Sequence, residues 1–277
     1  MPELPEVETI RRQLVPRLHG RTIVGAGSHP SAKFTPARET IGRFLIDINR
    51  RGKFLLFELD DGDELVAHLG MTGQFRVTAD EPPAATSEPM NADDNRHLRA
   101  WWALDNGQRL EFVDVRRFGR LAVVRNNDYR QLPTLHKMGP EPFDPTLDAE
   151  LFWRLLAKSR RAVKPNLLSQ RPIAGVGNIY ADEALWLAEI NPRAVRVGRE
   201  RAATLLEAIR QVLHVGISNG GTTLRNYRDA DGGTGKNQNA LNVYGQAGEP
   251  CPRCATALKA TSLQGRTTTW CSNCQHH

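Results

Sequence analysis

Short apolar runs broken by turn residues dominate positions 21–125. In RFLIDINRRGKFLLFELDDGDELVAHLGMTGQFRV the runs are punctuated at Arg51-Gly52 and Asp61-Gly62, and RAWWALDNGQRLEFVDVRRFGRLAVV repeats the pattern around Asn106-Gly107. Hairpin following hairpin without an intervening helix predicts an antiparallel sandwich or barrel. The Pro-, Ala- and acid-rich stretch near residues 80–95 reads as a mobile hairpin tip. Ahead of the strands, Val7, Ile10, Leu14 and Leu18 fall on one face of a helix expected from about Pro5 to Leu18. A proline and acidic residues at its start suit a helix N-terminus.

Beyond MGPEPFDPTLDAE the period becomes helical. One helix starts around Leu151, Leu155 and Leu156, a second is YADEALWLAEI and a third RERAATLLEAIRQVLHVGI. A Gly-rich stretch, SNGGTTLRNYRDADGGTGKNQNA, then leads to a Cys-containing end, and so long a segment without periodicity is either functional or disordered. The fold class expected is α+β multidomain, with domains at 1–135, 136–235 and 236–277.

Charge separates the two halves. Residues 1–150 carry 20 basic and 23 acidic side chains, net −3, whereas residues 151–277 carry 17 and 8, net +9. A basic half beside a near-neutral one suggests a face for a polyanion. No run is long enough to span a bilayer, and Glu3, Glu6 and Glu8 interrupt any export signal in the first ten residues. A cytoplasmic protein is expected.

All four cysteines lie in two CxxC pairs near the end, Cys251 with Cys254 and Cys271 with Cys274. Two such knuckles bring four thiolates around one structural Zn2+ in the manner of a zinc ribbon. Disulfides are the competing reading, disfavoured by the lack of an export signal and of any other cysteine.

Position 2 is a proline. Loss of Met1 would leave Pro2 with a secondary amine at the chain end, adjacent to the carboxyl of Glu3. An α-amino nitrogen titrates near 7.7–8.0 against about 10.4 for lysine, so far more of it is neutral at pH 7. Attack on a sugar aldehyde carbon would give a cationic iminium, an electron sink that labilises neighbouring C–H bonds. Taken alone, Pro2 reads first as helix punctuation.

PELPEVETIRRQL, RRGKFLLFEL, HLGMTGQF, DVRRFGRL, AGVGNIYADEALW, GGTTLRNY and the terminal CxxC pairs, in that order, resemble the bacterial formamidopyrimidine-DNA glycosylases over essentially the whole chain. The resemblance implies an N-terminal β-sandwich with its helix, a helix-two-turn-helix domain and a C-terminal zinc hairpin. It implies a bifunctional, monomeric repair enzyme that excises oxidised purines from double-stranded DNA and cleaves abasic sites. Pro2 would attack C1′ of the damaged nucleotide and Glu3 would protonate the sugar oxygen. Lys53 would grip backbone near the lesion and Arg266 a phosphate. Met71, Arg116 and Phe118 would fill the gap left by the everted base. Lys164 would stand near the extruded nucleotide, and Asn178 would open a helix whose free N–H groups cradle phosphate. His68 lies in a matched motif without a defined role, and GGTTLRNYRDADGGTG would close over the everted purine. Ser169 and Gln246 depart from the family, which commonly has an acidic and a basic residue there. A relative acting on oxidised pyrimidines and a non-catalytic zinc-containing binder of damaged DNA stay open as alternatives.

Overall fold

The computed structural model describes residues 1–79, 96–225 and 227–277. The expected hairpin tip at residues 80–95 lies outside them. The chain divides into two compact units, one of Met1–Pro2, Glu6–Gln131 and Gly220–Gly235, the other of Glu3–Pro5, Leu132–Asn219 and Lys236–His277.

α1 (Leu4–Leu18) forms where the periodicity placed it, and Val7, Ile10, Leu14 and Leu18 are fully buried in the core of the first unit. The strands follow as β1 (Ile23–Ser28), β2 (Leu45–Arg51), β3 (Phe54–Leu59), β4 (Glu64–His68), β5 (Gly73–Ala79), β6 (Leu98–Leu104), β7 (Gln108–Asp114) and β8 (Arg120–Val124). They pair in two four-stranded antiparallel sheets, ordered β1-β6-β7-β5 and β2-β3-β4-β8. Phe57 lies 5.5 Å from Phe75 across the two sheets, and Phe75 lies 4.9 Å from its β7 partner Phe112 within one of them. Edge and offset contacts of this kind add to the energy of burial. The 3-10 turn Thr35–Thr40 has no apolar period in TPARET that could have revealed it. Its Thr40 hydroxyl accepts from buried Trp102 Nε1 at 3.1 Å, so the indole N–H is satisfied.

In the second unit the helices are α2 (Pro133–His136), α3 (Ala149–Ala157), α4 (Val163–Leu168), α5 (Asn178–Leu187) and α6 (Arg199–Ser218). Asp148 caps α3 by accepting from Leu151 N at 2.7 Å. The short α4 escaped the sequence reading because Pro165 suggests a break, yet in the first turn a proline removes no hydrogen bond. Residues 179–186 of α5 are all buried, so this helix has no polar stripe. β9 (Lys259–Leu263) and β10 (Arg266–Trp270) make an antiparallel hairpin. Its two turn residues, Gln264 and Gly265, have φ of 49° and 72°, as a tight hairpin turn of matching twist requires. Among the described residues no helix is long and apolar enough to cross a membrane.

Candidate functional site

In the first unit the expected residues stand at the ends of strands. Lys53 belongs to the β2–β3 turn rather than to a strand, and its side chain is buried. Arg50 pins that turn, donating to Gly52 O at 3.1 Å and to Glu8 Oε2 of α1 at 3.1 Å. Burial alone would raise the Glu8 carboxyl, but hydrogen bonds from Arg11 and Arg12 and the charges of Arg11 and Arg50 outweigh it and bring it to about 2. His68 closes β4. Its Nδ1 accepts from Gly70 N at 3.2 Å, and burial together with the Lys53 ammonium lowers the ring to about 4, so the imidazole is neutral at pH 7.

Met71 and Phe118 do not sit at hairpin ends. Both lie in crossovers from one sheet to the other, Met71 between β4 and β5 and Phe118 between β7 and β8. The crossovers touch, for a Cβ on Gly70, whose φ is +63°, would come within 2.4 Å of the Phe118 carbonyl carbon. Fully buried Asp114 fastens them. Its Oδ1 accepts from Thr72 Oγ1 at 2.5 Å and from Arg116 N at 3.2 Å, and its Oδ2 from Gly119 N at 2.7 Å. Met71 is left 36% exposed and Phe118 49%, with the Arg116 guanidinium 4.8 Å from the Phe118 ring centre. The sequence reading missed Asp114. Its signal was an acid ending the apolar strand RLEFVD, but its partner Thr72 is 42 residues away.

The stretch Gly220–Gly235 groups with the strands. The stretch has no apolar period in the sequence, yet it is anchored. Ala230 is buried in the sheet core and Tyr227 packs against it. Gln13 Oε1 accepts from Ala230 N at 2.8 Å, and buried Glu6 accepts from Thr222 N at 2.7 Å. A single alanine and one tyrosine among glycines and charges carry no periodic pattern, which is why the anchors were overlooked. Glu6 is a second residue that sequence reasoning passed over.

In the second unit the Glu3 carboxylate, 2% exposed, caps α5 by accepting from Ile179 N at 3.0 Å and Tyr180 N at 3.4 Å. These are N–H groups that the sequence offered to a phosphate. The approach is so close that a Cβ on Gly177 would fall 2.2 Å from the Glu3 carboxyl carbon. Pro2, next to Glu3 in the chain, is itself buried behind an exposed Met1. Asn178 directs Nδ2 to Thr267 O at 3.0 Å, joining α5 to β10. Lys164 is neither solvated nor open to a nucleotide in this conformation. Its side chain is 0% exposed and ion-paired to Asp182 at 2.6 Å. Burial lowers the Lys164 ammonium and raises the Asp182 carboxyl, while each partner's charge opposes the shift. Asp182 is a third residue missed in the sequence, hidden inside the matched motif NIYADE. Arg266 is exposed at the first position of β10. Ser169 makes a local bond, its Oγ donating to Asn166 O at 2.6 Å.

The four cysteine sulfurs lie within 4.8 Å of one another, with Cys254 to Cys271 at 3.5 Å and Cys251 to Cys274 at 3.9 Å. Tetrahedral bonds of about 2.3 Å to zinc place sulfurs about 3.8 Å apart, so the donor set fits. None of the four is in a disulfide. Trp186 Nε1 donates to Cys251 Sγ at 3.4 Å, orienting one ligand from α5. Cys251, Cys254, Cys271 and Cys274 are the ligands of one structural zinc ion.

Three family models match the chain. The formamidopyrimidine-DNA glycosylase N-terminal domain covers residues 1–121, the H2TH domain of the same proteins residues 138–228, and the zinc finger found in FPG and IleRS residues 248–276. The formamidopyrimidine-DNA glycosylase of Thermomicrobium roseum is 43% identical over 290 residues, 99% of each chain. The crystal structure of MutM (Fpg) from Thermus thermophilus is similar at a TM-score of 0.87 and 44% identity, over 99% of this chain and 98% of that one. A Lactococcus lactis Fpg mutant in complex with DNA containing Fapy-dG matches at a TM-score of 0.85 and 36% identity over 100% of both chains. With profile, sequence and fold agreeing from end to end, the chain belongs to the formamidopyrimidine-DNA glycosylase family.

Proposed function

We propose that this protein is a bifunctional DNA glycosylase and abasic-site lyase that excises oxidised purines through a Schiff base at Pro2. The observation that carries the reading is the carboxylate of Glu3. It is adjacent to Pro2 in the chain, buried, and aimed by two N–H groups of α5. A carboxyl so held can exchange a proton with a sugar oxygen without reorganising. Family membership supports the substrate class, since the Lactococcus lactis relative has been crystallised with DNA containing Fapy-dG and with DNA containing an abasic site.

Once Met1 is removed, the Pro2 nitrogen attacks C1′, the bond from C1′ to the purine breaks, and the base leaves with a proton. Glu3 protonates the ring oxygen, the sugar opens, and nitrogen and C1′ become an iminium. Loss of a C2′ proton to water sends its bonding pair into that sink and expels the 3′ phosphate, a second elimination expels the 5′ phosphate, and water releases the sugar remnant from Pro2. The other residues bind. Met71, Arg116 and Phe118, exposed on the stapled crossovers, enter the stack where the base has left, with Arg116 facing the orphaned partner. Lys53 supports backbone beside the lesion, and Arg266, with Asn178 behind it, holds phosphate at the zinc hairpin. On this reading residues 1–135 carry the chemistry and 136–277 supply most of the phosphate grip.

The test is product analysis on an 8-oxoguanine duplex. The reading expects a one-nucleotide gap with phosphate on both flanks, formed faster than on a thymine glycol duplex. An intact strand, or preference for thymine glycol, would contradict it.

A further inference from the structure

The strand that presents Arg266 is fastened chiefly by polar bonds. Lys164 Nζ, 2.6 Å from Asp182 Oδ1, also donates to Thr268 Oγ1 at 2.8 Å and to Thr267 O at 3.1 Å. The other carboxylate oxygen, Asp182 Oδ2, accepts from Thr269 N at 3.0 Å. Thr267 O also receives Asn178 Nδ2 at 3.0 Å. The three residues that follow Arg266 are therefore each gripped by a side chain of α4 or α5.

A buried ion pair is a weak source of stability. Desolvation offsets most of the attraction, and apolar pairs of similar volume are often as stable or more so. What such a pair does supply is direction, because each bond fixes one atom of β10 against one atom of a helix. The partner helix matters too. Ile179 and Tyr180, whose N–H groups hold Glu3, precede Asp182 by less than one turn of α5.

We propose that the Lys164–Asp182 pair is a positioning device that sets Arg266 in register with α5, and so with the Glu3 carboxylate. Neither residue touches DNA; both act through Thr267, Thr268 and Thr269. The inference rests on reading Arg266 as a phosphate contact.

The test measures binding of the zinc-loaded full chain to a duplex carrying a tetrahydrofuran abasic-site analogue, as a function of salt. The variants are Arg266→Ala, the apolar swap Lys164→Met with Asp182→Leu, the combination of all three, and Thr268→Val. Arg266→Ala and the swap should each weaken binding about tenfold, the worth of one charge-assisted contact. Each should flatten the slope of log K against log salt by about 0.9, the worth of one phosphate. The combination should be no weaker than Arg266→Ala alone, which a general loss of stability would not produce. A swapped protein with zinc bound and with wild-type affinity and slope overturns the inference, and so do losses that multiply in the combination. If Arg266→Ala itself leaves the slope unchanged, the phosphate reading of Arg266 fails and the inference falls with it. Should the swap not fold or not hold zinc, Thr268→Val decides. It removes, without a charge, the hydroxyl that accepts from Lys164 Nζ and donates to Arg266 O at 3.2 Å; a flattened slope supports the device and a wild-type slope overturns it.

Discussion

Phe118 is an aromatic ring half open to solvent on a crossover that Asp114 ties to the neighbouring one. That combination suits a wedge, which must displace a base without folding back. The sequence showed the ring and its glycines but not the staple, because a buried carboxylate gathering donors from segments far apart leaves no periodic mark. Phe118→Ala should therefore slow release of 8-oxoguanine by about 10- to 100-fold, the scale of a few kcal/mol of unstacking. Cleavage of a preformed abasic site should change much less. Equal losses on the two substrates, measured in single-turnover assays, would remove Phe118 from the wedge. Glu3 differs in kind. Its place beside Pro2 was plain in the sequence, whereas its two bonds to α5 join residues some 176 positions apart.

At the scale of elements, α1, α5 and α6 were legible from their length and apolar content, and the hairpins from their turn dipeptides. The short pieces were not. α4 spans six residues with a proline inside it, and Thr35–Thr40 has no apolar face. α1 does more than its amphipathic face disclosed. Through Glu8 and Arg50 it braces the turn that carries Lys53. This brace has a pH signature. The Glu8 carboxyl falls from 4.5 to about 2 on folding, so its stabilisation is present in full above pH 4.5 and is lost as the pH falls through 2. Urea midpoints of the wild type and of Glu8→Gln should differ most above about pH 5 and converge toward pH 2. A gap independent of pH would show that the charge of Glu8 is not what braces the turn.

For the molecule as a whole, the proposed function gives the two chemically distinct halves different tasks. Strands and their crossovers carry the residues expected at the lesion, while the basic half carries Arg266 and the zinc. The zinc is legible in the sequence, because four cysteines in two CxxC pairs match the spacing of a zinc ribbon. Its consequence is less obvious. The hairpin is only ten strand residues with a two-residue turn, too little to persist without its ion. Chelation should release one zinc per chain and abolish binding to abasic-site DNA while the antiparallel sheets keep their far-ultraviolet signature. Retained DNA binding in zinc-free protein would separate the hairpin from recognition.

The central claim is covalent: the nitrogen of residue 2 bonds to C1′. Borohydride added during turnover reduces an iminium to a stable amine, and digestion with mass spectrometry then locates the adduct. The account predicts a sugar remnant on Pro2, formed only in chains that have lost Met1. An adduct on a lysine such as Lys53, or full trapping in chains that retain Met1, would contradict it.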